Sequence, residues 1–152
     1  PLPTYSADGY IKQALAKVPA SEKANEQLLA QYQAVSRLFW VAQQPSAQLI
    51  QQAQQGTPNP MFASQASFVL GLWHDFDRTL RYHYDFGPVM DDHFSRMKTI
   101  ANQQRAALVE LANAAATQQP LRLTDAQLVA GQQALPQLLA PLQPSPGAAV
   151  PL

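Results

Sequence analysis

Three stretches of this chain place their large side chains at alternating steps of four and three residues, and that recurrence dictates what it can fold into. The first runs Leu28, Tyr32, Val35, Phe39, Ala42. The second is Phe62, Ala66, Val69, Trp73, Phe76, Leu80, His83, and the third Met90, Phe94, Met97, Ala101, Gln104, Leu108, Leu111, Ala115. An α-helix of 3.6 residues per turn brings such positions onto one face, whereas a half-buried strand needs a period of two. Each stretch is too polar on its other face to stand alone, so the three must bury their stripes against one another. The expected fold is all-α: an up-down helical bundle with a long central antiparallel helix hairpin and short accessory helices.

Breaks and caps divide the chain between the stripes. Ser6 caps a short helix over 6–18, with Ile11, Leu15 and Val18 on one face, and Pro19 ends it. Ser21 caps a second helix that Gln44-Pro45 should stop. Ser46 then opens a short third segment carrying Leu49, Ile50 and Ala53, with Gly56 as its C′ residue. Asn59 at an N-cap and Pro60 at N1 start a long helix reaching about residue 85. Phe68 and Leu72 lie about 100° off its stripe, which predicts a broad apolar surface and a central place in the bundle. Phe86-Gly87-Pro88 breaks the chain tightly, so the flanking long helices should form an antiparallel hairpin. Thr124-Asp125-Ala126-Gln127 reads as a capping box for a last helix carrying Leu128, Leu135, Leu138 and Leu139. Pro136 should kink that helix or end it early. Residues 1–5 read as an extended lead, 6–140 as one bundle domain and 141–152 as a Pro-rich flexible tail.

At 152 residues the chain can bury a self-sufficient core without a cross-link. It contains no cysteine, which excludes disulfides, thiolate metal sites and a cysteine nucleophile. Formal net charge is +0 and 13% of residues are charged, so neither a nucleic-acid footprint nor a polybasic membrane patch is present. No apolar run approaches the roughly 20 residues needed to cross a bilayer. The chain opens on Pro1-Leu2-Pro3 with no basic, apolar targeting segment, which implies that any such peptide has been removed. Glutamine pairs and alanine supply most of the polarity and helix propensity, with few lysines; that composition points to a periplasmic or secreted bacterial protein.

The one compositional anomaly is residues 74–98, which hold all three histidines (His74, His83, His93) and five of the ten acids. As a metal site, His83, Asp85, Asp91 and His93 would gather across the hairpin turn, a donor set suited to zinc or another divalent ion. Against this stand an unrecognised ligand spacing and the lack of a Glu-x-x-His pair. The plainer account is a half-buried His83 at the bundle end, with Asp85, Asp91 and Asp92 offsetting a helix dipole. As a hydrolytic site, His74, Asp77, Arg78 and Arg81 share a face, but Asp77, Arg81 and Asp85 at i, i+4 read equally as a salt-bridge ladder. A haem held by His83 with Met90 or Met97 would be crowded by Phe76 and Phe94 and lacks any Cys-x-x-Cys-His. As a protein-binding surface, Trp40 lies off its stripe beside Arg37, and Tyr82 lies on the polar side with Arg78; aromatics next to arginine are the residue types that anchor interfaces. The plainer account of Trp40 is that it packs beneath one of the short helices, which must cover something. The favoured expectation is therefore a non-enzymatic bundle binding another protein through the hairpin tip and the Trp40 flank. A divalent-metal- or small-ligand-binding bundle is the alternative, and a hydrolytic enzyme the third. No other cofactor is expected, and a homo-oligomer is compatible with the pattern.

Overall fold

The computed structural model describes residues 6–56 and 59–143, and within them every regular element is helical. Five α-helices follow in order: α1 Ala7–Leu15, α2 Glu26–Gln54, α3 Phe62–Thr79, α4 Pro88–Ala116 and α5 Ala126–Leu139, with a 3₁₀ turn at Ala140–Leu142. The long helices α2, α3 and α4 pack on one another and form the body of the bundle. The accessory elements α1, α5 and the 3₁₀ turn pack on α2, on α4 and on each other. The three stripes meet inside as expected: Tyr32, Phe39, Trp73, Phe76, Met90, Met97 and Leu108 are all buried. Phe39, Trp73 and Phe76 interlock edge-to-face, with ring centroids 5.8–5.9 Å apart, a geometry that adds to the burial of their area.

The largest departure from expectation is at Pro45, which lies inside α2 rather than ending it. Proline supplies no N–H, so the Val41 carbonyl loses its helical donor. Ser46, expected to cap a new helix, instead donates its hydroxyl to the Ala42 carbonyl (2.7 Å) and accepts the indole N–H of Trp73 (2.7 Å). Leu49, Ile50 and Ala53 beyond the proline remain buried in the same core, and that burial offsets the break. The helix ends as read, with Gly56 at φ +70° just past it.

Other boundaries shift because loop side chains are engaged elsewhere. The second helix begins at Glu26 under an Asn25 cap, whose Oδ1 accepts from the amides of Gln27 (3.0 Å) and Leu28 (3.1 Å), not under Ser21. Upstream of it, Lys23 donates to the Leu15 carbonyl (3.0 Å) and Glu22 accepts the Val89 amide (2.8 Å). Asn59 Oδ1 accepts the Met61 amide (3.0 Å), but α3 starts only at Phe62. At α5 the cap is Asp125, not Thr124, because Thr124 gives both its amide (2.8 Å) and its hydroxyl (2.6 Å) to Glu110. Those two donors hold the Glu110 carboxyl below the usual glutamate range. Pro136 neither ends nor shortens α5, which continues to Leu139. Residues 141–143, assigned to a flexible tail, belong to the bundle: Leu142 is fully buried, and Lys17 donates to the carbonyls of Gln143 (2.7 Å) and Ala140 (3.3 Å). The lead 1–5 and the tail from 144 onward lie outside the described residues.

Candidate functional site

The stretch from His74 to Lys98 spans the end of α3, its connection to α4 and the first turns of α4. Helix α3 stops at Thr79, about six residues earlier than its stripe predicts, and residues 80–87 cross to α4 without regular structure beyond a turn. The Thr79 hydroxyl bonds back to the Phe76 carbonyl (2.6 Å), and the Leu80 amide to the Asp77 carbonyl (3.0 Å). What draws the chain out of the helix is Phe86. It is buried, stacked on Tyr84 at 5.1 Å and set edge-on to Phe94 and Tyr32. Neighbouring Gly87 admits the Glu22 side chain, whose Oε1 caps α4 through the Val89 amide.

This path corrects the placement of His83, which lies in the connection with its side chain exposed rather than on the core stripe. His83 is therefore outside while Met90 and Met97, its partners in the haem reading, are inside. His93 goes the opposite way: it is 2% exposed, and its Nδ1 lies 2.7 Å from the Tyr32 hydroxyl. Burial pushes the His93 pKa down, with the Asp92 charge opposing, and pushes the Tyr32 phenol up. The four proposed ligands thus divide, with His93 in the core and His83, Asp85 and Asp91 on the surface. Among the described residues no group of three or more His, Asp or Glu side chains is arranged to hold a metal ion.

The hydrolytic constellation also separates. Asp77 forms an ion pair with Arg105 across α3 and α4, while Arg81 lies past the helix end, so the expected ladder does not form. His74 and Arg78 remain exposed on α3. Asp92 pairs with Arg96 at i, i+4 (2.8 Å), and Arg96 also donates to the Gln137 carbonyl (3.0 Å) near the end of α5. Asp91 has its carboxyl pKa raised by burial and by the charges of Asp85 and Glu22, against His83 and Lys98.

Trp40 is not an exposed anchor. It is 1% exposed, stacked under Tyr10 of α1 at 4.2 Å and edge-on to Phe39. Arg37 beside it is exposed and paired with Asp8, which pins α1 to α2. Tyr82, by contrast, is 70% exposed. It stands at an open cleft of about 530 Å³ together with Arg81, His83, Asp91, Phe94 and Lys98. The Lys98 ammonium lies over the Phe94 ring at 5.0 Å, an attraction that holds it at the cleft. Among the described residues Arg81 has no ion pair or side-chain hydrogen bond.

A second concavity escaped sequence reasoning. It runs between α2 and α3, about 360 Å³, over Pro45, Leu49 and Val69 with Gln48, Gln52 and Phe68 at its sides. Phe68, read as part of a broad apolar face turned to the core, is 70% exposed. The signal that marks it was present: the residues three and four positions away, Ser64, Gly71 and Leu72, with Gln65, supply mostly small or polar surroundings rather than a second stripe. Among the described residues no helix is long and apolar enough to cross a membrane. Comparison with protein-family models, with curated proteins and with solved structures found no match to this chain.

Proposed function

We propose that this chain is a non-enzymatic helical bundle of the bacterial envelope or secreted space that binds another protein, and that the cleft at the α3–α4 connection is its contact surface. The observation that carries the reading is Tyr82. A 70% exposed aromatic stands beside Arg81, a cation with no ion pair or side-chain hydrogen bond among the described residues, and Lys98, fixed over a ring. Tyrosine and arginine are the residues most often found to dominate interface energetics, and a desolvated carboxylate contact to arginine is stronger than a neutral hydrogen bond. The partner segment that fits presents an acidic side chain next to an apolar one, with the carboxylate reaching Arg81 and Lys98 and the apolar group lying on Tyr82. The Trp40 flank has no part in this, because its ring is covered by α1.

The test is quantitative enrichment of bound proteins from extracts of the host, comparing the unaltered chain with Tyr82→Ala and Arg81→Glu. Loss of an interface anchor costs about 2 kcal/mol or more, roughly 30-fold in affinity. Surface substitutions change stability by only about 0.5 kcal/mol. A partner lost from both variants at unchanged melting temperature is the expected result. A partner retained equally by all three proteins would place the contact elsewhere.

A further inference from the structure

Helix α5 and the 3₁₀ turn form an arm with no ionisable side chain between residues 126 and 143. Its last turns are held instead by two cations that reach its backbone. Arg96 of α4 donates to the carbonyls of Gln137 (3.0 Å) and Leu138 (3.4 Å), and Lys17 to those of Ala140 (3.3 Å), Pro141 (3.4 Å) and Gln143 (2.7 Å). These carbonyls belong to the negative end of α5 and the turn after it, where cations are favoured. The arm runs antiparallel along α4 in a register that three contacts fix: Glu110 meets Thr124, Gln103 meets Gly131, and Arg96 meets Gln137. His93, Arg96, Ile100, Gln103, Ala107 and Glu110 follow at steps of three and four, so they form one row on α4. Continued by one step, the register sets His93 at the level of the turn Ala140–Leu142, whose Leu142 is fully buried.

Of the three histidines only His93 is buried. From α2 the Tyr32 hydroxyl lies 2.7 Å from its Nδ1. The segment after α1 brings Lys17 and Glu22 near it, and α4 itself brings Asp92 and Arg96. Burial opposes a positive charge on His93 most, and Lys17 and Arg96 oppose it too, whereas Asp92 and Glu22 favour it. Asp92 is engaged by Arg96 (2.8 Å), and Glu22 by the Val89 amide (2.8 Å). A proton on His93 would therefore stand in a buried site against the same ammonium and guanidinium groups that hold the arm.

We propose that the arm is an acid-released clasp: protonation of His93 frees α5 and the 3₁₀ turn from α4 and α1 while the body of α2, α3 and α4 stays folded. Opening lets water reach the imidazole and takes Lys17 away from it. Leu139 and Leu142 leave the core with the arm, so acid exposes an apolar segment. The direction follows from linkage. With the arm closed, burial holds the His93 pKa below its ordinary value of about 6.5, and with the arm open water restores it. Between those two values the open form binds a proton that the closed form does not, and it gains as pH falls. The opening constant rises by at most about tenfold per pH unit in that window. Above it neither form takes the proton, and opening does not depend on pH. None of these groups lines the Tyr82 cleft, so the clasp is independent of the partner reading.

Hydrogen–deuterium exchange read by mass spectrometry between about pH 7.5 and about pH 5, with rates corrected for the intrinsic pH dependence of amide exchange, tests this clasp. In the unaltered chain the amides of α5 and the 3₁₀ turn should lose protection below about pH 6.5, by up to about tenfold per unit. Those of α3 should keep theirs. His93→Gln leaves a polar side chain that takes up no proton, and it should remove the response. Leu142→Ser loosens the arm without altering any charge. By reciprocity it should move the His93 midpoint, followed by NMR of the imidazole, upward toward about 6.5. Protection lost equally from α3 and the arm, a response retained in His93→Gln, or an unmoved His93 midpoint in Leu142→Ser would overturn the proposal.

Discussion

Substitution of Gly87 by alanine should destabilise the protein, although the backbone there suits any residue. Gly87 has φ −74° and ψ 175°, ordinary extended geometry, and at such a site alanine gains about 0.4–1 kcal/mol by restricting the unfolded chain. A Cβ at this position, however, would overlap Oε1 and Cγ of Glu22. The carboxylate must then leave, and with it the hydrogen bond it accepts from the Val89 amide at 2.8 Å. The N-cap residue of α4 makes no side-chain bond of its own, so Glu22 is the side chain that serves this helix start. Losing such a cap costs about 1 kcal/mol, within a range of 0.5–2, and removing a negative charge from the positive end of a helix adds about 0.3–1. The Glu22 Oε2 atom is buried without a partner, so its release to water returns part of that loss. The balance is a net destabilisation of about 0.5 kcal/mol, some 1–2 °C in melting temperature for a chain of this size. In a Glu22→Ala background the carboxylate is already gone, so the same Gly87→Ala change should stabilise by about 0.4–1 kcal/mol. Urea unfolding followed at 222 nm on the four proteins of this cycle measures both values. An equal effect of Gly87→Ala in the two backgrounds would refute the claim that it acts through Glu22.

Two further outcomes can be checked in the same way. The His93 pKa is lowered by burial in the folded state, so below the ordinary histidine value near 6.5 the unfolded chain binds more protons than the native one. Stability contributed through His93 is therefore flat above that value and falls as pH drops toward the depressed native pKa. Urea midpoints measured between about pH 7.5 and about pH 5 should show this slope in the unaltered chain and a shallower one in His93→Gln. Ser46→Ala removes the acceptor of the buried Trp73 indole N–H and should cost about 1–3 kcal/mol for the orphaned donor. A loss below about 0.5 kcal/mol in equilibrium unfolding would show that the indole finds another partner.

The three long helices were legible in their stripes, because each stripe repeats its period over four or more turns. Boundaries were less legible, because a local signal competes with contacts that only the fold supplies. Gln44-Pro45-Ser46 carries every mark of a helix stop followed by an N-cap. The burial of Leu49, Ile50 and Ala53 outweighs it, and the serine is turned to serve Trp73. The stripe of α3 continues in sequence through Leu80 to His83, yet the chain leaves the helix to bury Phe86. The candidate site suffered most from this kind of error. Trp40 and Phe68 both lie off a stripe: Trp40 was open between an interface anchor and packing beneath a short helix, and it is the second, whereas Phe68 was read as core and is exposed. Whether such a ring is covered depends on where a short helix docks: α1 lays Tyr10 over Trp40, and α3 has no such cover for Phe68. Tyr82 was placed correctly at the surface, although on the connection rather than on a helix. The Glu22 cap joins positions 67 residues apart and has no periodic signature at all.

The contact between α1 and the 3₁₀ turn bears on the order in which the molecule assembles. Lys17, just past α1, gives its ammonium to the carbonyls of Ala140 and Gln143, across more than 120 residues of chain. On the ribosome α1 emerges before α2, while its partner turn is made after the whole of α2, α3 and α4. Contacts of such wide sequence separation form late, because the loop they close must first be ordered. The bundle body can therefore condense from α2, α3 and α4, with Tyr10 stacked on Trp40 and Asp8 paired with Arg37 holding α1 against α2. Full closure waits for Leu142 to bury itself. Until then the protein should be a folded body with an unlatched first helix, and that interval is when α1 is most open to proteases and chaperones.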